Sequence, residues 1–96
     1  MATKLESSLE RQVVLYCKAN NVLCYKFVSP NKRGVPDRLL IGPYGEIYFL
    51  ELKREKEMPT SLQWREIGIL NKHCVRAGYV DNFEDAKTII NTLRAL

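Results

Sequence analysis

Ninety-six residues allow one domain, spanning 1–96, with a modest hydrophobic core. No apolar run is long enough to cross a bilayer and no secretory segment opens the chain, so a cytoplasmic, intracellular protein is expected. The three cysteines, Cys17, Cys24 and Cys74, are odd in number and lack metal-ligand spacing. They read as small buried hydrophobes in a reducing compartment, and His73 as a helix-surface residue. A net charge of +4 and a pI near 9.1 permit a polyanionic partner.

In chain order, Thr3 and Glu6 form a capping-box pattern opening a helix to about Ala19. Leu5, Leu9, Val13 and Tyr16 make its apolar stripe, and Asn20-Asn21 ends it. Residues 22–28 read as a first strand and 29–34 as a loop. The run from Asp37 to Ile41 reads as a second strand, Pro43-Tyr44-Gly45 as a tight turn, and residues 46–53 as a third strand. That strand is apolar on both faces, which predicts burial on both sides. After a charged connection, Thr60 and Gln63 form a second capping box. Its helix is expected to reach about Ala77, with Gly78 as the stop. Tyr79-Val80 predicts a short last strand, and Asn82 caps a final helix through Ile89, Ile90 and Leu93. The order αβββαβα predicts an α/β domain with a mixed central sheet flanked by helices.

Chemistry concentrates in Pro36-Asp37 and Glu51-Leu52-Lys53. Alternation with a period of two places Glu51 and Lys53 on one strand face, and a hairpin can bring Asp37 beside Glu51. Buried charges are expensive unless paired or holding a metal. Two carboxylates suit a hard cation, and a lysine beside them can orient water or stabilise phosphate charge. Alone, Pro-Asp is a common turn dipeptide and Glu-x-Lys a common solvated pair. Their combination at the end of an apolar strand points to a metal-dependent catalytic site.

Those residues resemble the PD-(D/E)xK nuclease signature. The segment Gly34-Val35-Pro36-Asp37-Arg38, the Phe49-Leu50-Glu51-Leu52-Lys53 strand and Ser61-Leu62-Gln63 narrow the resemblance to the VRR-NUC branch. It covers nearly the whole chain and is closest to the short stand-alone members, many of them phage-encoded. It implies a restriction-endonuclease-like core and a DNA endonuclease using Mg²⁺, for which Mn²⁺ can substitute. Asp37, Glu51 and the Leu52 carbonyl would bind the metal, with Lys53 positioning the attacking water. The family places a first-helix glutamate near the metal, and Glu10 fits that position better than Glu6. The bland alternative is an exposed helix glutamate. The family also sets a glutamine of the second helix against the active site. For Gln63 the capping and active-site roles are expected to exclude one another in a single rotamer.

Lys26, Lys32, Arg33, Arg38, Lys53, Arg54 and Lys56 lie in or beside the three-strand unit. Of these, Lys32, Arg33, Arg38 and Arg54 are the candidates for DNA phosphate contacts. Tyr44, Tyr48 and Trp64 could stack on bases, although aromatics in small domains usually join the core. The resemblance further implies a homodimer acting on branched DNA, with four-way (Holliday) junctions leading. Ile67, Ile69, Leu70, Ile89, Ile90, Leu93 and Leu96 offer apolar helix surface for an interface, or else core. A non-catalytic DNA-binding module on a nuclease fold is the alternative.

Overall fold

The computed structural model describes residues 8–94, so the capping box at Thr3 and Glu6, and Leu96, lie outside the described residues. The elements are α1 (Ser8–Ala19), β1 (Leu23–Lys26), β2 (Arg38–Ile41), β3 (Ile47–Leu52), α2 (Ser61–Lys72), β4 (Ala77–Val80) and α3 (Phe83–Arg94). This is the αβββαβα order expected from the sequence. The strands form one sheet in the order β1-β2-β3-β4. β1, β2 and β3 are antiparallel neighbours and β4 runs parallel to β3, which makes the sheet mixed.

Register divides the sheet into two unlike faces. The rows Cys24–Leu40–Tyr48 and Lys26–Arg38–Leu50 share one face. There Leu40 and Leu50 join Val13 and Cys17 of α1, Val80 of β4, and Ala86, Ile90 and Leu93 of α3 in the core. Fully burying a side chain of this kind contributes roughly 1.5–3 kcal/mol, so this face holds most of the stability. Tyr16 of α1 ties the two helices together. Its hydroxyl donates to Asn91 Oδ1 at 2.7 Å, and its ring meets Phe83 edge-on at 5.6 Å.

The rows Leu23–Ile41–Ile47 and Tyr25–Leu39–Phe49 share the opposite face. α2 packs over β4 at one side of it. Leu23, Tyr25 and Ile47 consequently remain 49%, 53% and 42% exposed. Burial of β3 on both sides, read from its apolar run, is therefore complete only at Leu50, with Tyr48, Phe49, Glu51 and Leu52 half-buried and Ile47 exposed. A single helix is too narrow to cover four strands.

The helix ends follow local chemistry, with one correction. The Thr60–Gln63 capping box is present, and Asn82 Oδ1 accepts from the Asp85 N–H at 2.8 Å at the start of α3. α2, however, ends at Lys72 and not near Ala77. Cys74 takes the left-handed turn (φ +64°), and the Val75 N–H closes it on the Leu70 carbonyl at 2.9 Å. Gly78 lies inside β4, where a Cβ would sit 2.6 Å from the Tyr48 hydroxyl. Close packing, not helix termination, is the reason for glycine there.

Of the apolar helix positions considered for an interface, the described ones are buried or half-buried. Ile67, Ile90 and Leu93 are buried, and Ile69, Leu70 and Ile89 are half-buried. Among the described residues, no helix is long and apolar enough to cross a membrane.

Candidate active site

The β2–β3 hairpin assembles the acidic pair. Gly45 adopts φ +86° in the turn, and the Gly42 N–H bonds the Glu46 carbonyl at 2.8 Å. The resulting register pairs Arg38 with Leu50, so the next rung sets Asp37 opposite Glu51. Pro36 beneath this rung is fully buried. The Asp37 carbonyl accepts from the Phe27 N–H at 2.8 Å, fixing the backbone against the β1 side. Gly34, at φ +86°, presses the preceding loop onto α2, since a Cβ would lie 2.6 Å from the Leu62 carbonyl oxygen.

The electrostatics of this pair are unfavourable as they stand. Burial and the neighbouring Asp37 carboxylate raise Glu51 from 4.5 to about 7, against the opposing pull of Lys53 and of the Asp37 backbone N–H. A half-buried carboxylate facing another gains most from a cation placed between them. The donor set therefore fits a divalent metal: two carboxylates from adjacent strands, with Leu52 next in line. Among the described residues, no cluster of three or more histidine, cysteine, aspartate or glutamate side chains forms.

Gln63 shows that one rotamer can do two jobs, contrary to the expectation from sequence. Its Oε1 accepts from the Thr60 N–H at 2.9 Å, which completes the cap. Its Nε2 donates to Glu51 Oε2 at 3.4 Å. The two ends of the amide point in different directions, so the start of α2 braces the carboxylate. Lys53 follows β3, with its N–H on the Val80 carbonyl at 2.9 Å. It borders a cleft of about 360 Å³ shared with Arg54, Gln12, Asp81 and Phe83.

Glu10 lies elsewhere. It is buried in α1, and its Oε2 accepts from Arg38 Nη2 at 2.8 Å. This contact is on the α1 face of β2, whereas Asp37 and Glu51 belong to the opposite face. Glu10 is thus not gathered with the acidic pair among the described residues; it forms an ion pair with Arg38. The expectation for Arg38 changes for the same reason. Its side chain is 9% exposed, so it does not present a guanidinium to a DNA backbone. Nothing in the linear pattern revealed this pair, because its residues are 28 positions apart. The one available signal was alternation, which puts Arg38 on the other side of the strand from Asp37.

The remaining basic candidates sit on the surface. Lys32, Arg33 and Arg54 are exposed. Lys32 also lies 3.7 Å from Glu66, a buried carboxylate of α2. Trp64 and Tyr44 are 45% and 58% exposed, while Tyr48 packs against the core. Of the cysteines, Cys17 is buried and shares a side-chain hydrogen bond with Cys24. That bond, helped by Arg38, brings Cys24 down to about 7 against its burial. Cys74 is exposed and shapes the α2 turn, so it is not a core residue. His73 caps α2, with Nδ1 2.8 Å from the Ile69 carbonyl oxygen.

A solved structure described as a VRR_NUC domain superposes with a TM-score of 0.79 at 27% identity, covering 86% of this chain and 90% of the other. The fold is that of the VRR-NUC family. This bears out the resemblance carried by Pro36-Asp37 and Glu51-Leu52-Lys53, and with it the restriction-endonuclease-like architecture. A relative named "Putative nuclease p44", from Acyrthosiphon pisum secondary endosymbiont phage 1, is 48% identical over 61 residues. That match covers 64% of this chain and 66% of the relative. No protein-family model matches the chain.

Proposed function

We propose that this VRR-NUC chain is a metal-dependent DNA endonuclease that hydrolyses phosphodiester bonds in branched DNA. The carrying observation is the juxtaposition of Asp37 and Glu51 across the β2–β3 hairpin, with Lys53 acting on the same carboxylate. The name of the phage relative and the VRR-NUC fold support the nuclease class.

In this reading Asp37, Glu51 and the Leu52 carbonyl hold Mg²⁺ or Mn²⁺. A cation held there would supply charge stabilisation for phosphodiester hydrolysis. Lys53 orients the attacking water and offsets charge on the phosphate. Gln63 keeps Glu51 in one rotamer through its Nε2 donor. Arg33 and Arg54, with Lys32 once it exchanges Glu66 for phosphate, supply sequence-independent affinity.

Resolving a four-way junction takes two opposed cuts, and a two-fold dimer would supply two equivalent sites. The surface best suited to a second copy is the open sheet face. Leu23, Tyr25 and Ile47 are exposed on it, beside the edge of β1 that pairs with no other strand among the described residues. A Tyr25→Glu variant should then sediment as a monomer.

The direct test is cleavage of a DNA panel, comprising four-way junction, flap, nicked duplex and linear duplex, with Mg²⁺ or with EDTA. Junction cutting that needs Mg²⁺ and is lost in Asp37→Ala and Glu51→Ala is the expected result. Cutting in EDTA, or equal cutting of linear duplex, would contradict the metal or the branch-selectivity part respectively.

A further inference from the structure

Trp64, the chain's single tryptophan, is not absorbed by the core. It follows Gln63 on α2 and remains 45% exposed. Its ring meets Tyr79 edge-on at 5.4 Å. The Tyr79 hydroxyl in turn donates to Met58 Sδ at 3.2 Å, and Met58 is 58% exposed. These three side chains make one continuous apolar and aromatic surface at the β4 edge. Contiguous surfaces of this kind mark interactions more often than isolated exposed residues do.

Position identifies the occupant. Tyr79 is the β4 register partner of Glu51, so the two side chains leave neighbouring strands, about 4.8 Å apart at the backbone, on the same face of the sheet. Gln63, the residue before Trp64, touches the Glu51 carboxylate. Anything docked on the surface therefore shares the site with the substrate, and a protein there would block it.

We propose that Trp64, flanked by Met58 and Tyr79, is a stacking platform for an unpaired nucleobase next to the scissile phosphate. A paired base hides both its faces in the duplex stack, so only a splayed or single-stranded nucleotide can use the platform. The platform rests on the nuclease reading and refines it. Selection of branched DNA then comes from the unpaired nucleotide at a branch point as well as from any dimer geometry.

The tryptophan reports on itself. Wild-type protein is titrated in EDTA with a forked DNA carrying unpaired arms, and separately with a blunt duplex. Trp64 emission is read alongside the anisotropy of a dye on the DNA. The fork should quench emission at saturation and the duplex should not. Trp64→Ala should weaken fork binding by roughly 10-fold or more while duplex binding stays within about twofold, and Trp64→Phe should retain most of the affinity. Saturated fork binding with unchanged emission would overturn the platform and leave the nuclease reading standing. Equal losses on fork and duplex in Trp64→Ala would do the same. Absence of binding to either DNA would overturn both.

Discussion

Glu10 and Glu51 are the same residue type, each at least half-buried, on opposite faces of one sheet. Glu10 faces the Arg38 guanidinium at 2.8 Å and is neutralised within the fold. Glu51 faces Asp37 and is pushed up to about 7. The first is an internal strut between α1 and β2. The second is a site whose charge is left for something outside the chain to balance. A buried carboxylate is thus no guide to a catalytic site until its partner is known. Asp37, just before β2, and Arg38, its first residue, produce the difference because extended backbone turns successive side chains to opposite faces.

The largest effect should come from the unbalanced side. Losing groups that merely orient a metal ligand costs about 10–100-fold, so losing a ligand should cost on the order of 10³-fold. Asp37→Ala and Glu51→Ala should reduce single-turnover cleavage by at least that much, with the folded state kept. Unaltered cleavage in either variant would remove that residue from the site.

On the balanced side, Arg38→Met removes the guanidinium from a buried ion pair and should destabilise the fold by about 3–5 kcal/mol. The double variant Glu10→Met with Arg38→Met should regain most of that stability, since buried ion pairs are often replaceable by apolar pairs. Arg38 Nε already lacks a hydrogen-bond partner among the described residues, which lowers the cost of replacing the pair. Denaturant unfolding of the three proteins checks this. A double variant as unstable as the single one would show that the pair is worth more than the apolar packing that replaces it.

The unbalanced side should also respond to pH. Glu51 titrates higher in the folded state than in the unfolded chain, so the folded state binds the proton more tightly. Its contribution is therefore most favourable at low pH and is lost as pH rises from about 4.5 through about 7. The melting temperature of metal-free protein should fall over that window. The fall should flatten in Glu51→Gln and on adding Mg²⁺. A melting temperature that rises with pH through the window in wild type alone would contradict the assignment.

The smallest effects lie at the edges of the site. Replacing Lys32 and Arg33 by alanine should lower the salt dependence of DNA binding by up to about two, at near 0.9 per phosphate contact. Thr60→Ala should cost α2 about 1 kcal/mol, and by loosening Gln63 should slow cleavage a few-fold. A full-rate Thr60→Ala enzyme would confine Gln63 to its cap.

Much of this was legible in the sequence because it depends on local rules. Strand alternation and the Gly45 turn were enough to place Asp37 against Glu51. Thr60 and Asn82 announced their helix starts. The failures involved distant partners. Gly78 read as a helix stop because nothing local revealed the Tyr48 hydroxyl above it. Arg38 read as a DNA contact because its partner lies on α1. The apolar residues of α2 and α3 read equally as interface or as core, and the choice depended on the packing of Ile90 and Leu93 against the sheet. Exposure of Leu23, Tyr25 and Ile47 depends on how little of the sheet α2 covers, which no periodicity encodes.

The central claim is that the Asp37–Glu51 side of the sheet, and not the Glu10–Arg38 side, receives the cation. Calorimetric titration of Mn²⁺ into wild type, Asp37→Ala, Glu51→Ala and the Glu10→Met, Arg38→Met double variant tests it directly. Binding in wild type and the double variant, with loss in the two single variants, is the predicted result. Binding that survives in Asp37→Ala and Glu51→Ala but vanishes in the double variant would contradict it.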